Sequence, residues 1–256
     1  MKRKYEREFR SDEVRQVREK TKIGVIGSGR GAGASFVATS LALKSAEIRE
    51  QAVAFCELND GVGGKSWIYD SVGMDKRFVH RNYISLHEMV RRGQYIRNIH
   101  NMDLMVNWAL CTPGDRGGRE SGLHTARLIN NIAGDIIVCD FGLLADQELL
   151  DDMDIIVAVV DPKPSRLIGA RSLYQKIRRE QADGRKVIWV INKMNGGVGR
   201  KCFADYVRVR DALEIPLIKE VHFYAAEYNC RFPAEEREIR KASDKVFEDI
   251  VNKTVI

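Results

Sequence analysis

Between a short apolar stretch, Lys22 to Gly27, and a helical one beginning near Gly33 lies GSGRGAGAS, residues Gly27 to Ser35. Glycine alternates with other residues through it, at Gly27, Gly29, Gly31 and Gly33. Without a Cβ the backbone can take positive φ and turn its amides inward as an anion nest. The helix that follows adds its positive end. Ser35 is placed to offer a hydroxyl to Mg²⁺. Four glycines in seven positions are conformationally expensive unless the backbone needs them. Yet the residue before the serine, where a phosphate loop carries lysine, is Ala34.

Two nucleotide readings fit the stretch. Gly27-x-Gly29-x-x-Ala32 matches the loose dinucleotide fingerprint, with Glu57 closing the second apolar run where an acid would hold ribose hydroxyls. The other reading is a P-loop. GSGRGAGASFVATSLA resembles the deviant phosphate loop of the ParA/MinD family, roughly K-G-G-x-G-K-[ST]. Aligned on Gly33 and Ser35, Gly31 and Ala32 fall in register, Gly29 takes the place of the signature lysine and Ala34 that of the main one. Arg30 stands next to the first vacancy. The resemblance continues in the family's order over roughly residues 22 to 195. AFCELNDGVGG is similar to the second strand and switch I, with Glu57 and Asn59 on the acidic positions. DIIVCDFG is similar to the strand ending in the switch II aspartate, here Asp140, and VIWVINK to the strand whose terminal Asn contacts adenine, here Asn192. The family's final I-P-[ED] turn is replaced around EVHFY.

The resemblance implies ATP and Mg²⁺ as cofactors. It implies a nucleotide site of Gly29, Arg30, Gly31, Ala32, Gly33, Ala34, Ser35 and Asn192, with Ser35 and Asp140 on the metal. It also implies a face-to-face homodimer, or a heterodimer with an intact paralogue, and its nearest branch is that of the CpaE-like pilus-assembly and localisation ATPases. With both lysines absent, the expectation is a bacterial-type positioning or assembly factor with weak or no hydrolysis. The alternatives are a slow ATPase in which Arg30 or Lys65 replaces the lost charge, and an NAD(P)-binding oxidoreductase, which lacks an evident acid or base for hydride chemistry. Each site residue also has a plain reading: Asp140 as a turn cap, Asn192 as a strand-end turn residue, Arg30 and Lys65 as solvated cations.

The elements that must position these residues are strands alternating with helices. Apolar runs at 22–27, 52–57, 102–107, 135–140, 154–160, 186–192 and 215–221 read as strands. Helices are expected over 34–50, 85–92, 120–134, 165–181 and 234–253. Continuous apolar strands between helices specify a doubly wound, mostly parallel α/β sheet covered on both faces. Residues 1–20 read as a charged arm and 21–256 as one P-loop NTPase-like domain. The 256 residues are 44% hydrophobic, enough for a full core. No apolar run approaches the roughly 20 residues needed to span a bilayer, and MKRKYEREFR is no secretory signal. Five scattered cysteines without a CxxC pair suit a reducing cytoplasm, and neither they nor five histidines show metal-ligand spacing. A net charge of +6 admits nucleic acid, but acidic residues interrupt the basic runs around Arg178, Arg179 and Arg185, so DNA binding is disfavoured. Near the C-terminus Val246, Phe247, Ile250 and Val251 form one helical stripe; Asp244, Glu248 and Asp249 opposite make it a core-packing helix rather than a membrane one.

Overall fold

A computed structural model describes residues 20–58, 68–115, 122–142, 147–209 and 211–254. The N-terminal arm, Asn59 and Lys65 lie outside these. In chain order the described elements are β1 Thr21–Gly27, α1 Ala34–Ile48, β2 Val53–Glu57, α2 Ile68–Ser71, α3 Met74–Arg77, α4 Leu86–Arg91, β3 Met102–Asp103, β4 Val106–Ala109, α5 Gly122–Asn131, β5 Ile136–Asp140, α6 Gln147–Asp151, β6 Ile155–Val160, α7 Pro164–Gly169, α8 Arg171–Ala182, β7 Lys186–Met194, α9 Arg200–Val207, β8 Leu213–Pro216, α10 Glu220–Tyr228 and α11 Arg237–Lys253.

Among the described residues the strands form one sheet in the order β3-β4-β2-β5-β1-β6-β7-β8. Every pairing is parallel except β3 with β4. Strands β2, β5 and β6 are buried throughout, because helices cover both faces. One face packs Val25, Phe55 and Trp108 under α1 and α11; the other packs Ile26, Ile137, Ile156 and Trp189 under α4, α5, α8 and α9. Strand β1 lies between β5 and β6, so the chain turns outward in both directions from it. Ligands bind at such a switch point, beyond the carboxyl ends of the strands.

The doubly wound sheet matches the sequence expectation; three local features do not. The strand expected over 102–107 is a hairpin. Leu104 and Met105 both take positive φ, 48° and 61°, and reverse the chain in two residues. Turn signals are normally Asn and Gly, so this turn is held from outside. Arg77 Nη1 binds the Asp103 carboxylate at 2.7 Å, and Trp108 Nε1 donates to the Asp103 carbonyl at 2.9 Å. The single helix expected over 165–181 is two, with the break at Ala170 after Gly169. The strand expected over 215–221 stops at Pro216, and α10 begins at Glu220. At the C-terminus, α11 buries Phe247, Ile250 and Val251 and packs along α1, where Lys44 meets Asp244 at 2.7 Å. Among the described residues no helix is long and apolar enough to cross a membrane.

Candidate functional site

Strand β1 ends at Gly27, and the loop Ser28–Gly33 leads into α1 with Gly33 as its N-cap. Two backbone bonds set the loop's base: the Gly27 amide donates to the Gly142 carbonyl and the Ser28 amide to the Val159 carbonyl, both at 2.8 Å. These tie the loop to the ends of β5 and β6. The Ala32 amide then closes a turn on the Gly29 carbonyl at 3.0 Å. Of the four glycines, only Gly31 and Gly33 use positive φ, 74° and 93°. Gly27 is there for closeness, since a Cβ on it would meet the Ala34 Cβ at 3.2 Å and the Gly142 carbonyl at 3.3 Å. Gly29 has neither role.

Strand β7 shapes the loop's far side. The Asn192 amide Nδ2 donates to the Ala32 carbonyl at 2.8 Å, and its Oδ1 accepts from the Lys193 amide at 3.0 Å. A trans peptide sets its C=O and N–H on opposite sides. Drawing the Ala32 carbonyl toward β7 therefore points the Gly33 N–H the other way. The amides of Gly27, Ser28 and Ala32 are engaged within the protein; those of Gly31, Gly33 and the first turn of α1 remain to face an anion. Asn192, expected to contact a base, is 5% exposed with both ends of its amide engaged on backbone. It holds the loop through the Ala32 carbonyl. A Cβ on Gly33 would stand 2.2 Å from Asn192 Nδ2, so the two residues require each other.

On the β5 side, Asp140 is buried, its Oδ1 accepting from the Gly142 amide at 3.0 Å and its carboxylate from the Ser35 hydroxyl. Burial pushes the Asp140 carboxyl above its ordinary value, and those two bonds draw it part of the way back. One hydroxyl beside one carboxylate fits Mg²⁺, which takes one or two protein oxygens and completes its octahedron with phosphate and water. Among the described residues no three His, Cys, Asp or Glu side chains converge, so a phosphate-free site would be incomplete. Ala34 is nearly buried in the core below the loop, while Arg30 is exposed at its tip.

Other expectations resolve differently. Glu57 is buried and its Oε2 accepts from the Cys111 amide at 3.0 Å. It is engaged at the end of β2, between β4 and β5, rather than standing open to a ribose. Arg185 is held by Glu180 at 3.1 Å and the Met153 carbonyl at 2.5 Å, so it belongs to the fold, whereas Arg178 and Arg179 are exposed.

Two residues missed by the sequence reading stand at the loop. The Lys193 ammonium donates to the Gly31 carbonyl and lies 3.7 Å from Asp161 Oδ2. Arg166, on α7, lies over Gly29: a Cβ there would be 3.8 Å from its Cδ and 4.0 Å from Nη1. Both line a cleft of about 710 Å³ that runs from Gly31 past Asp161 to Phe203 and Tyr206 of α9. Lys193 ends the VIWVINK stretch and Arg166 lies at the start of the helix expected over 165–181, but nothing in either stretch indicates that it turns toward the loop.

No protein-family model and no curated protein matches the chain. Solved structures do. The chain is similar to the ParA family ATPase of Chlorobium tepidum TLS, at 14% identity and a TM-score of 0.62, over 93% of this chain and 98% of that one. A putative plasmid partition protein of Borrelia burgdorferi B31 bound to AMPPNP is similar at 15% identity and a TM-score of 0.66, over 92% and 99%. A chain of the MinC:MinD cell division protein complex of Aquifex aeolicus is similar at 12% identity and a TM-score of 0.67, over 92% and 97%. What is shared at these identities is the architecture: the chain has the α/β P-loop fold of the ParA and MinD ATPases.

Proposed function

We propose that this protein is a ParA/MinD-like positioning or assembly factor that binds ATP with Mg²⁺ and hydrolyses it weakly or not at all. The observation that carries this is a phosphate loop complete in backbone but without its lysines: Gly29 and Ala34 occupy their places. The loop amides and the positive end of α1 hold phosphate, and Ser35 with Asp140 holds the metal. Mg²⁺ held there would neutralise part of the phosphate charge. Phosphoryl transfer depends on positioning and on offsetting the charge spread over the transferred group. Removing one such contact from a shielded site costs roughly 3–4 kcal/mol of transition-state stabilisation, on the order of 10²–10³ in rate. Binding loses less, because its amide donors do not depend on the lysines. The protein then acts through a nucleotide-sensitive shape rather than turnover. We further propose that it works in the cytoplasm as a weak or nucleotide-independent dimer, or beside an intact paralogue, in pilus or secretion-system assembly. In this reading residues 21–256 act as one unit.

Calorimetric titration with ATP–Mg²⁺, GTP and NAD, paired with a phosphate-release assay, tests this. ATP–Mg²⁺ should bind with little turnover. Turnover equal to that of a lysine-bearing family ATPase would refute the reading. So would preference for NAD. In the Ala34→Lys, Gly29→Lys variant turnover should rise.

A further inference from the structure

Arg166 and Lys193 have no part in the loop's sequence pattern, yet both reach it in space. We propose that these two side chains supply positive charge in place of the loop's missing lysines, and that the cleft they share takes a polyphosphate chain. The proposal rests on the nucleotide reading above and identifies which side chains perform it.

Four observations support it. First, position: the Arg166 guanidinium stands over Gly29, the place of one missing lysine. A bare glycine there leaves the space that the arginine uses, and a long side chain would have to share it. Second, Lys193 is aimed by the fold. It sits where the β7–β8 pairing is irregular, with φ 67°, unfavourable for lysine, and its ammonium reaches the Gly31 carbonyl. Its ammonium has three N–H donors. The Gly31 carbonyl takes one and Asp161 faces another, which leaves a third for the cleft. Third, charge: the cleft's charged lining is Lys163, Arg166 and Lys193 against Asp161, three cations to one anion. Among the described residues the Arg166 guanidinium meets no carboxylate. A planar guanidinium with parallel N–H donors suits phosphate oxygens, and a compact ammonium beside it serves as a point charge. Fourth, size: about 710 Å³ lies within the range of small-molecule sites, and the far wall of Phe203 and Tyr206 is aromatic.

Calorimetry with two probes tests the proposal: tripolyphosphate, which has no base, and ATP, both with Mg²⁺. The variants are Lys193→Asn, whose side chain tolerates left-handed backbone, Arg166→Gln, and the pair together. Arg178→Gln, exposed on α8, removes an equal charge elsewhere. Each site variant should weaken both probes by about 10- to 100-fold, the pair should abolish binding, and Arg178→Gln should bind as wild type does. Lys193→Arg should stay within about threefold of wild type, which separates lost charge from lost folding. Equal weakening of both probes places the charge on phosphate; weakening of ATP alone overturns that assignment. Wild-type-like ATP binding by the double variant overturns this inference and leaves the nucleotide reading intact. If wild type binds neither probe, both fail.

Discussion

The contact between Gly33 and Asn192 can be tested in energetic terms. Gly31 and Gly33 both take positive φ, so alanine at either incurs left-handed strain of about 1–2 kcal/mol. The surroundings differ. A Cβ on Gly31 meets nothing within 4 Å, but one on Gly33 would lie 2.2 Å from Asn192 Nδ2. Asn192 must then leave the Ala32 carbonyl, and a buried amide without its partner costs about 1–3 kcal/mol. Gly31→Ala should therefore cost about 1–2 kcal/mol, and Gly33→Ala about 2–5 kcal/mol in all. Alanine is also a poorer N-cap than glycine, but that penalty and the strain persist whichever residue stands at 192. A double-mutant cycle removes both. In an Asn192→Ala background the Gly33→Ala cost should shrink by about 1–3 kcal/mol, the coupling between the two sites. Urea denaturation followed by circular dichroism measures all four proteins. A Gly33→Ala cost undiminished by Asn192→Ala would show that Asn192 does not set the loop, and the account of its carbonyl and amide directions would fall with it.

Asp140 is buried and its carboxyl is raised above its ordinary value, so ionising it destabilises the folded state. That penalty is absent in acid and grows as pH rises through the raised value. In EDTA, Asp140→Asn should thus gain stability over wild type at neutral pH and lose that advantage in acid; a pH-independent difference between melting curves would contradict it. Arg77 meets Asp103, Glu235 and the Cys230 carbonyl and lies over the Phe232 ring, so Arg77→Ala should cost about 3–5 kcal/mol in urea denaturation. A loss under about 1 kcal/mol would mean the cluster contributes little. Neutralising Arg178 and Arg179 together should change stability by less than about 0.5 kcal/mol, whereas Arg185→Ala should cost more than that. If DNA binding at physiological salt disappears with the first pair alone, the disfavoured nucleic-acid reading returns.

The alternation of apolar strands with helices was enough to specify the sheet, because a parallel strand covered on both faces must be apolar along its whole length. The loop was legible for a related reason: glycines at Gly31 and Gly33 are demanded by local backbone angles, and local angles are written in local sequence. The aspartate and asparagine at strand ends, Asp140 and Asn192, were legible as positions. Their tasks were not. That the Asn192 amide meets the Ala32 carbonyl, 160 residues away in the chain, could not be read from either stretch. The Leu104–Met105 turn defeated its own residue types because Arg77 and Trp108 hold Asp103 from outside. Lys193 and Arg166 were unreadable as loop residues for the same reason. A motif records charge along the chain, whereas a phosphate responds to charge in space. Only the packing of β7 and α7 beside β1 brings those two cations to a loop whose sequence contains no lysine.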